Sequence, residues 1–134
     1  NWIVTAGDDN QVIIWNASSG ERLDTWAGHQ GKVNQATWSS DGRYVVTASD
    51  DATAQIWDVA TGLQVAILEG HTGFVGRAAW DPENRRVATA SADGTARIYY
   101  ISIDDLIRSA GQRAVRNMSE PAEWDLFMPG DVTL

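Results

Sequence analysis

Short apolar runs separated by turn chemistry set the rhythm of the chain between Val33 and Leu68. Val33 to Trp38 is followed by Ser39-Ser40-Asp41-Gly42, Tyr44 to Ser49 by Asp50-Asp51, Thr53 to Trp57 by Asp58 to Gly62, and Gln64 to Leu68 by Gly70-His71. The runs are rich in Val, Ile, Thr, Trp and Ala, and several are apolar on both faces, as strands buried on both sides are. Turn residues interrupt each run before two helical turns are complete, so the pattern predicts strands and excludes helices.

The pattern also repeats. Trp15 and Trp57 stand 42 positions apart, and the same shift lays Gly20 on Gly62, Gly28-His29 on Gly70-His71, Trp38 on Trp80, and Thr5 on Thr47 and then Thr89. Residues 1–58 laid on 43–100 give 23 identities in 58 positions without a gap, where unrelated sequence gives about three or four. A period of this length with four strands in it marks a repeat architecture.

Gly28-His29 and Trp57-Asp58 at the two ends of one period resemble the signature of the WD-repeat β-propeller. The resemblance covers Asn1 to about Ile101 and implies an all-β fold: one complete and two incomplete four-stranded blades with a short helical tail. With strands lettered a to d, residues 1–27 form a partial blade with b (Trp2 to Thr5), c (Val12 to Trp15) and d (Arg22 to Trp26). Residues 28–69 form the complete blade. Residues 70–101 supply a (Val75 to Trp80), b (Arg86 to Ser91) and c (Thr95 to Tyr99), with no d strand readable, and 102–134 are the tail. Propellers close with roughly four to eight blades. The chain is therefore expected to be the C-terminal part of a ring, completed by the same parent chain or by another one.

The resemblance further implies a hydrogen-bonded tetrad in each blade: His29, Thr47, Asp51 and Trp57 in the middle one. The first repeat offers Thr5, Asp9 and Trp15, with Asn16 where the family has Asp, and has no histidine because the loop that would carry it precedes Asn1. The third offers His71, Thr89 and Asp93, with Tyr99 where Trp belongs; a tyrosine hydroxyl can donate, but its reach differs. An imidazole held between a carboxylate and a hydroxyl has both ring nitrogens satisfied. Threonine, aspartate and histidine together also resemble a nucleophile with its base and orienter. Recurrence at a fixed period favours scaffold, since a catalytic set is needed once; no catalytic residue is assigned. The adjacent acids Asp8-Asp9 and Asp50-Asp51 invite a calcium or acid–base reading. They are better explained as one tetrad member and one turn cap each, so neither a metal nor a cofactor is expected.

Partners of such propellers usually bind the face carrying the d-to-a and b-to-c loops. The matching positions are Lys32, Asn34 and Asp50 in the middle blade, Phe74, Gly76 and Ala92 in the last, and Asp8 in the first. An exposed Phe74 would anchor an interface; the alternative is that it tucks against its own loop. Asp8 and Asp50, with no base beside them in sequence, would favour a basic partner.

Charge narrows the partners. The net charge is −8, with ten Lys and Arg against eighteen Asp and Glu, whereas phosphate recognition needs a basic face. Nucleic acid is not expected. No apolar run approaches the ~20 residues of a membrane span, and there is no cysteine for a disulfide or thiolate site. A cytoplasmic protein without a membrane partner is expected.

The period changes at Ser102. Ile103, Leu106, Ile107, Ala110, Ala114 and Val115 recur at helical spacing behind Asp104-Asp105, with Arg113 and Arg116 toward the other end. A second short helix is expected from Ser119, with Pro121 in its first turn, ending at Pro129-Gly130. Leu106, Ile107, Arg113, Ala114, Arg116, Asn117, Ser119, Glu123, Trp124, Pro129 and Gly130 resemble the closing segment of large bacterial signalling proteins in which a repeat domain follows a NACHT-like or protease-like module. The resemblances together imply a non-catalytic protein-interaction propeller that senses a partner and regulates an attached effector. The alternative is a static scaffold holding a multiprotein complex together.

Overall fold

The computed structural model describes residues 1–102, together with Asp104, Leu106, Ile107 and the backbone of 116–117 and 132–133. The fold is all-β: three predominantly antiparallel sheets stand side by side as blades of a partial propeller. The first contains β1 (Trp2–Ala6), β2 (Gln11–Asn16) and β3 (Arg22–Ala27). The second contains β4 (Val33–Trp38), β5 (Tyr44–Ser49), β6 (Ala54–Asp58) and β7 (Leu63–Leu68), and the third β8 (Val75–Trp80), β9 (Arg86–Ser91) and β10 (Thr95–Tyr100).

The apolar alternation becomes two interfaces. In β5, whose six residues are all buried, Tyr44, Val46 and Ala48 face the third blade and pack with Val75, Ala78, Val87 and Tyr99. Val45, on the opposite face, packs with Val12, Ile14, Trp26 and Trp57 toward the first blade. Trp26 and Trp57 stack at 5.5 Å between centroids, 12° from parallel. Polar clasps join the second blade to the third: Asn84 accepts from the Ser40 amide and donates to the Ser40 hydroxyl, both at 2.8 Å, while Gln35 accepts from the Ala78 amide at 2.9 Å.

Turn geometry repeats with the sequence. Asn10, Ala52 and Gly94 occupy the same place in successive b-to-c turns, and all have positive φ (69°, 71° and 84°). Asn and Gly accept that conformation readily, whereas alanine pays for its Cβ there.

Beyond β10 the chain departs from expectation. The third sheet has a fourth strand, β12 (Val132–Thr133), antiparallel to β10, and the second a fifth, β11 (Arg116–Asn117), parallel to β7. Arg116, expected near the end of a helix, is therefore in a strand, where the unpaired outer edge of β7 offers its main chain hydrogen-bonding partners. Asp104, Leu106 and Ile107 are helical, with the Leu106 amide on the Ser102 carbonyl at 3.0 Å. Leu106 is buried in the core between the second and third blades. The rest of the expected first helix and the helix from Ser119 lie outside the described residues.

Candidate functional site

Two groups of residues compete for the functional role: the polar set inside each blade and the loops at one end of the sheets. The inner set is clearest in the second blade. His29 Nδ1 lies 2.8 Å from Asp51 Oδ2 and His29 Nε2 lies 2.7 Å from Thr47 Oγ1. Trp57 Nε1 donates to that hydroxyl at 3.1 Å. A slip in the β6–β7 register between Ile56 and Trp57 falls beside the indole, as bulges that re-aim side chains do. With Nδ1–H given to the carboxylate, Nε2 accepts from the threonine hydroxyl, which in turn accepts from the indole, and every polar atom is used.

Asp51 is satisfied several times over. Burial pushes its carboxyl up, but hydrogen bonds from His29 and Thr53, the nearby imidazole and the Gln30 amide outweigh that and hold it far below the usual carboxylate range. In the third blade His71 sits 2.8 Å from Asp93 and 2.7 Å from Thr89. The Thr95 hydroxyl, ahead of the burial that opposes it and the His71 hydrogen bond, holds Asp93 equally low.

Tyr99 does not reproduce the tryptophan. Its one O–H is donated to the Glu69 carbonyl at 2.9 Å, because the phenol carries its donor at the ring tip, beyond the position of the indole nitrogen. In the first blade Trp15 donates to Thr5 at 2.8 Å, while Asp9 accepts from the Gln11 amide at 3.2 Å. The His29 and His71 side chains are fully buried (0% exposed), and Thr47 is closed from solvent as well. No substrate reaches the Thr47 or Thr89 hydroxyl without opening a blade, whereas Thr5, at the uncovered flank of the first blade, is exposed.

The loop residues form a line across the three blades. Lys32 Nζ is 3.1 Å from Asp8 Oδ1, joining second blade to first. Asn34 donates to Asp50 at 2.7 Å and to the Val75 carbonyl at 3.0 Å, joining second to third. Asn34 and Gly76 are both skipped in the pairing of their strands, at register shifts between Val33 and Gln35 and between Val75 and Arg77. Such bulges turn a side chain out of the ladder. The Asp50 amide donates to the Lys32 carbonyl and the Ala92 amide to the Phe74 carbonyl, so the two loops are closed in the same way.

Phe74 is 51% exposed, and Ala92 is exposed beside it. Asp8 differs from the sequence reading: the loop entering β4 brings Lys32 against it, a base distant in sequence. Both partners are well exposed, so the pair is worth at most about 1 kcal/mol and yields readily to an incoming charge. Sequence reasoning missed the Ser40–Asn84 clasp; its one signal was an asparagine in a turn, a residue that tolerates left-handed backbone.

Among the described residues no cluster of three or more His, Asp or Glu is placed to hold a metal ion, and no helix is long and apolar enough to cross a membrane. The family model described as WD domain, G-beta repeat matches residues 1–16, 20–58 and 62–100. No curated relative matches the chain.

Proposed function

The chain belongs to the WD domain, G-beta repeat family, a family of protein-interaction propellers, and from that premise we propose that it is the sensing part of a larger signalling protein. A protein partner binds the loop face through Lys32, Asn34, Asp50, Phe74, Gly76, Ala92 and Asp8, and its binding controls an attached effector module. The observation that carries this reading is Phe74: a large apolar side chain half exposed on a loop, on the same loop face as the solvent-exposed Lys32–Asp8 and Asn34–Asp50 pairs, has the character of an interface anchor. The buried tetrads are internal support and take no part in chemistry.

Regulation follows from differential contact. A partner that binds one arrangement of propeller and effector more tightly shifts the equilibrium by that difference in affinity. The resemblance of the segment from Leu106 to Gly130 to the end of bacterial NACHT-like or protease-linked repeat proteins supports an effector of that kind and a cytoplasmic setting. The remaining blades come from the same parent chain or from another. Residues 1–27, 28–69 and 70–101 act as successive blades, and Leu106, Arg116–Asn117 and Val132–Thr133 of the tail meet them.

The test uses the parent protein with its effector. Phe74→Ala combined with Asp50→Lys is expected to change effector activity in response to partner while leaving the unstimulated activity intact. If the variant loses the complex and effector activity never depended on partner, the domain is a static scaffold and the regulatory reading fails.

A further inference from the structure

The fourth strand of each blade holds a fixed register on the third. Val12 of β2 stands opposite Trp26 of β3, and one period later Ala54 of β6 stands opposite Leu68 of β7, both antiparallel. Trp26 and Leu68 are core residues, 3% and 0% exposed. One further period leads to Ala96 of β10, and the residue opposite it is Val132, again antiparallel and again apolar. The neighbouring position pairs Thr95 with Thr133. Two residues from the far end of the chain thus take the register place of a fourth strand, although their sequence is no copy of β3 or β7.

Register is the informative part. A segment resting on an open sheet edge could pair at any offset and in either direction, and a slip of one residue would exchange its two faces. The parallel pairing of β11 with β7 shows an edge contact of the other kind, added outside a blade already complete.

We propose that the C-terminal strand Val132–Thr133 is a built-in latch: it completes the third blade in cis, in fourth-strand register, and withholds that edge of β10 from an extended segment of another chain. The separation of β10 and β12 in sequence does little to prevent this, since loop-closure entropy grows only with the logarithm of length. Among the described residues the latch pairs at two register positions, whereas β7 pairs with β6 at five. An opened edge accepts a strand by main-chain hydrogen bonding.

The chain has no cysteine, so an introduced pair has a single way to join. Residues directly opposite in an antiparallel ladder lie within disulfide range, and adjacent residues point to opposite faces. In the chain of residues 1–134, A96C/V132C or T95C/T133C is expected to cross-link in most folded molecules, and A96C/T133C in few. A chain ending at Gly130 is expected to bind a peptide of residues 128–134 at least tenfold more tightly than the chain of residues 1–134 does. Failure of both in-register pairs to cross-link, or equal cross-linking off register, overturns the proposal. Equal peptide binding by the two chains overturns it as well. If the shortened chain fails to fold, cross-linking in the chain of residues 1–134 decides the matter.

Discussion

At the scale of single residues, the polar sets of the second and third blades show how the same side chains can resemble an active site and act as internal support. His29, Thr47, Asp51 and Trp57 spend their polar groups on one another, and breaking the set strands buried groups at about 1–3 kcal/mol each. Trp57→Ala also removes a stacked core side chain and should destabilise by about 3–5 kcal/mol in chemical denaturation; a near-wild-type midpoint would remove the tetrad from the account. Acid provides a second check. Unfolded, the Asp51 carboxyl takes up its proton near ~3.9, but in the folded blade it stays ionised to lower pH. In that interval the unfolded chain binds more protons. The stabilisation is thus fully present above about pH 5 and drains away as pH falls through and below ~3.9. Asp51→Asn should lower the melting temperature at neutral pH and flatten its fall between about pH 5 and 2. An acid limb as steep as wild type would show that Asp51 is not the group responsible.

At the scale of elements, the turns carry the most local information. Asn10, Ala52 and Gly94 share a left-handed position, where a Cβ costs roughly 1–2 kcal/mol against a smaller entropic penalty for glycine. Ala52→Gly should therefore stabilise the chain by about 0.5–1 kcal/mol, raising the melting temperature by a few degrees; a decrease would mean that the second blade uses a different turn. The ten blade strands were legible because each is short and bounded by turn residues such as Gly, Asp or Asn, because several are apolar on both faces, and because a shift of 42 superimposes them. The inner polar sets could be assigned to residues by family resemblance. β11 and β12 were not legible: Arg116–Asn117 and Val132–Thr133 are two residues each, too short for any periodicity, and their strand character comes from the sheet edges they meet. Tyr99 shows the same limit at finer grain, since the sequence places a donor in the tryptophan position while the reach of the phenol sends it to Glu69.

At the scale of the whole molecule, one repeat position has different fates according to its neighbours. Ile3 is 49% exposed, whereas Val45, one period on, is 0% exposed against the first blade. In the chain taken alone, Ile3→Ala should cost well under about 1 kcal/mol and Val45→Ala about 2 kcal/mol; equal costs would mean that the flank of the first blade is already covered. The opposite flank is not a copy of the interface inside. Asn34, Gln35 and Ser40, which clasp the third blade, correspond one period later to Gly76, Arg77 and Pro82, and the buried Tyr44 to the half-exposed Arg86. Whatever meets the third blade there is held differently from its neighbour within the chain. The central claim remains that binding belongs to the loop face and not to the blade interiors. A photo-crosslinking side chain at Phe74 identifies the partner, and calorimetric titration of that partner into the wild-type protein and the Phe74→Ala/Asp50→Lys variant then measures the claim directly. The account predicts at least a tenfold loss of affinity with an unchanged melting temperature; undiminished affinity in a folded variant would contradict it.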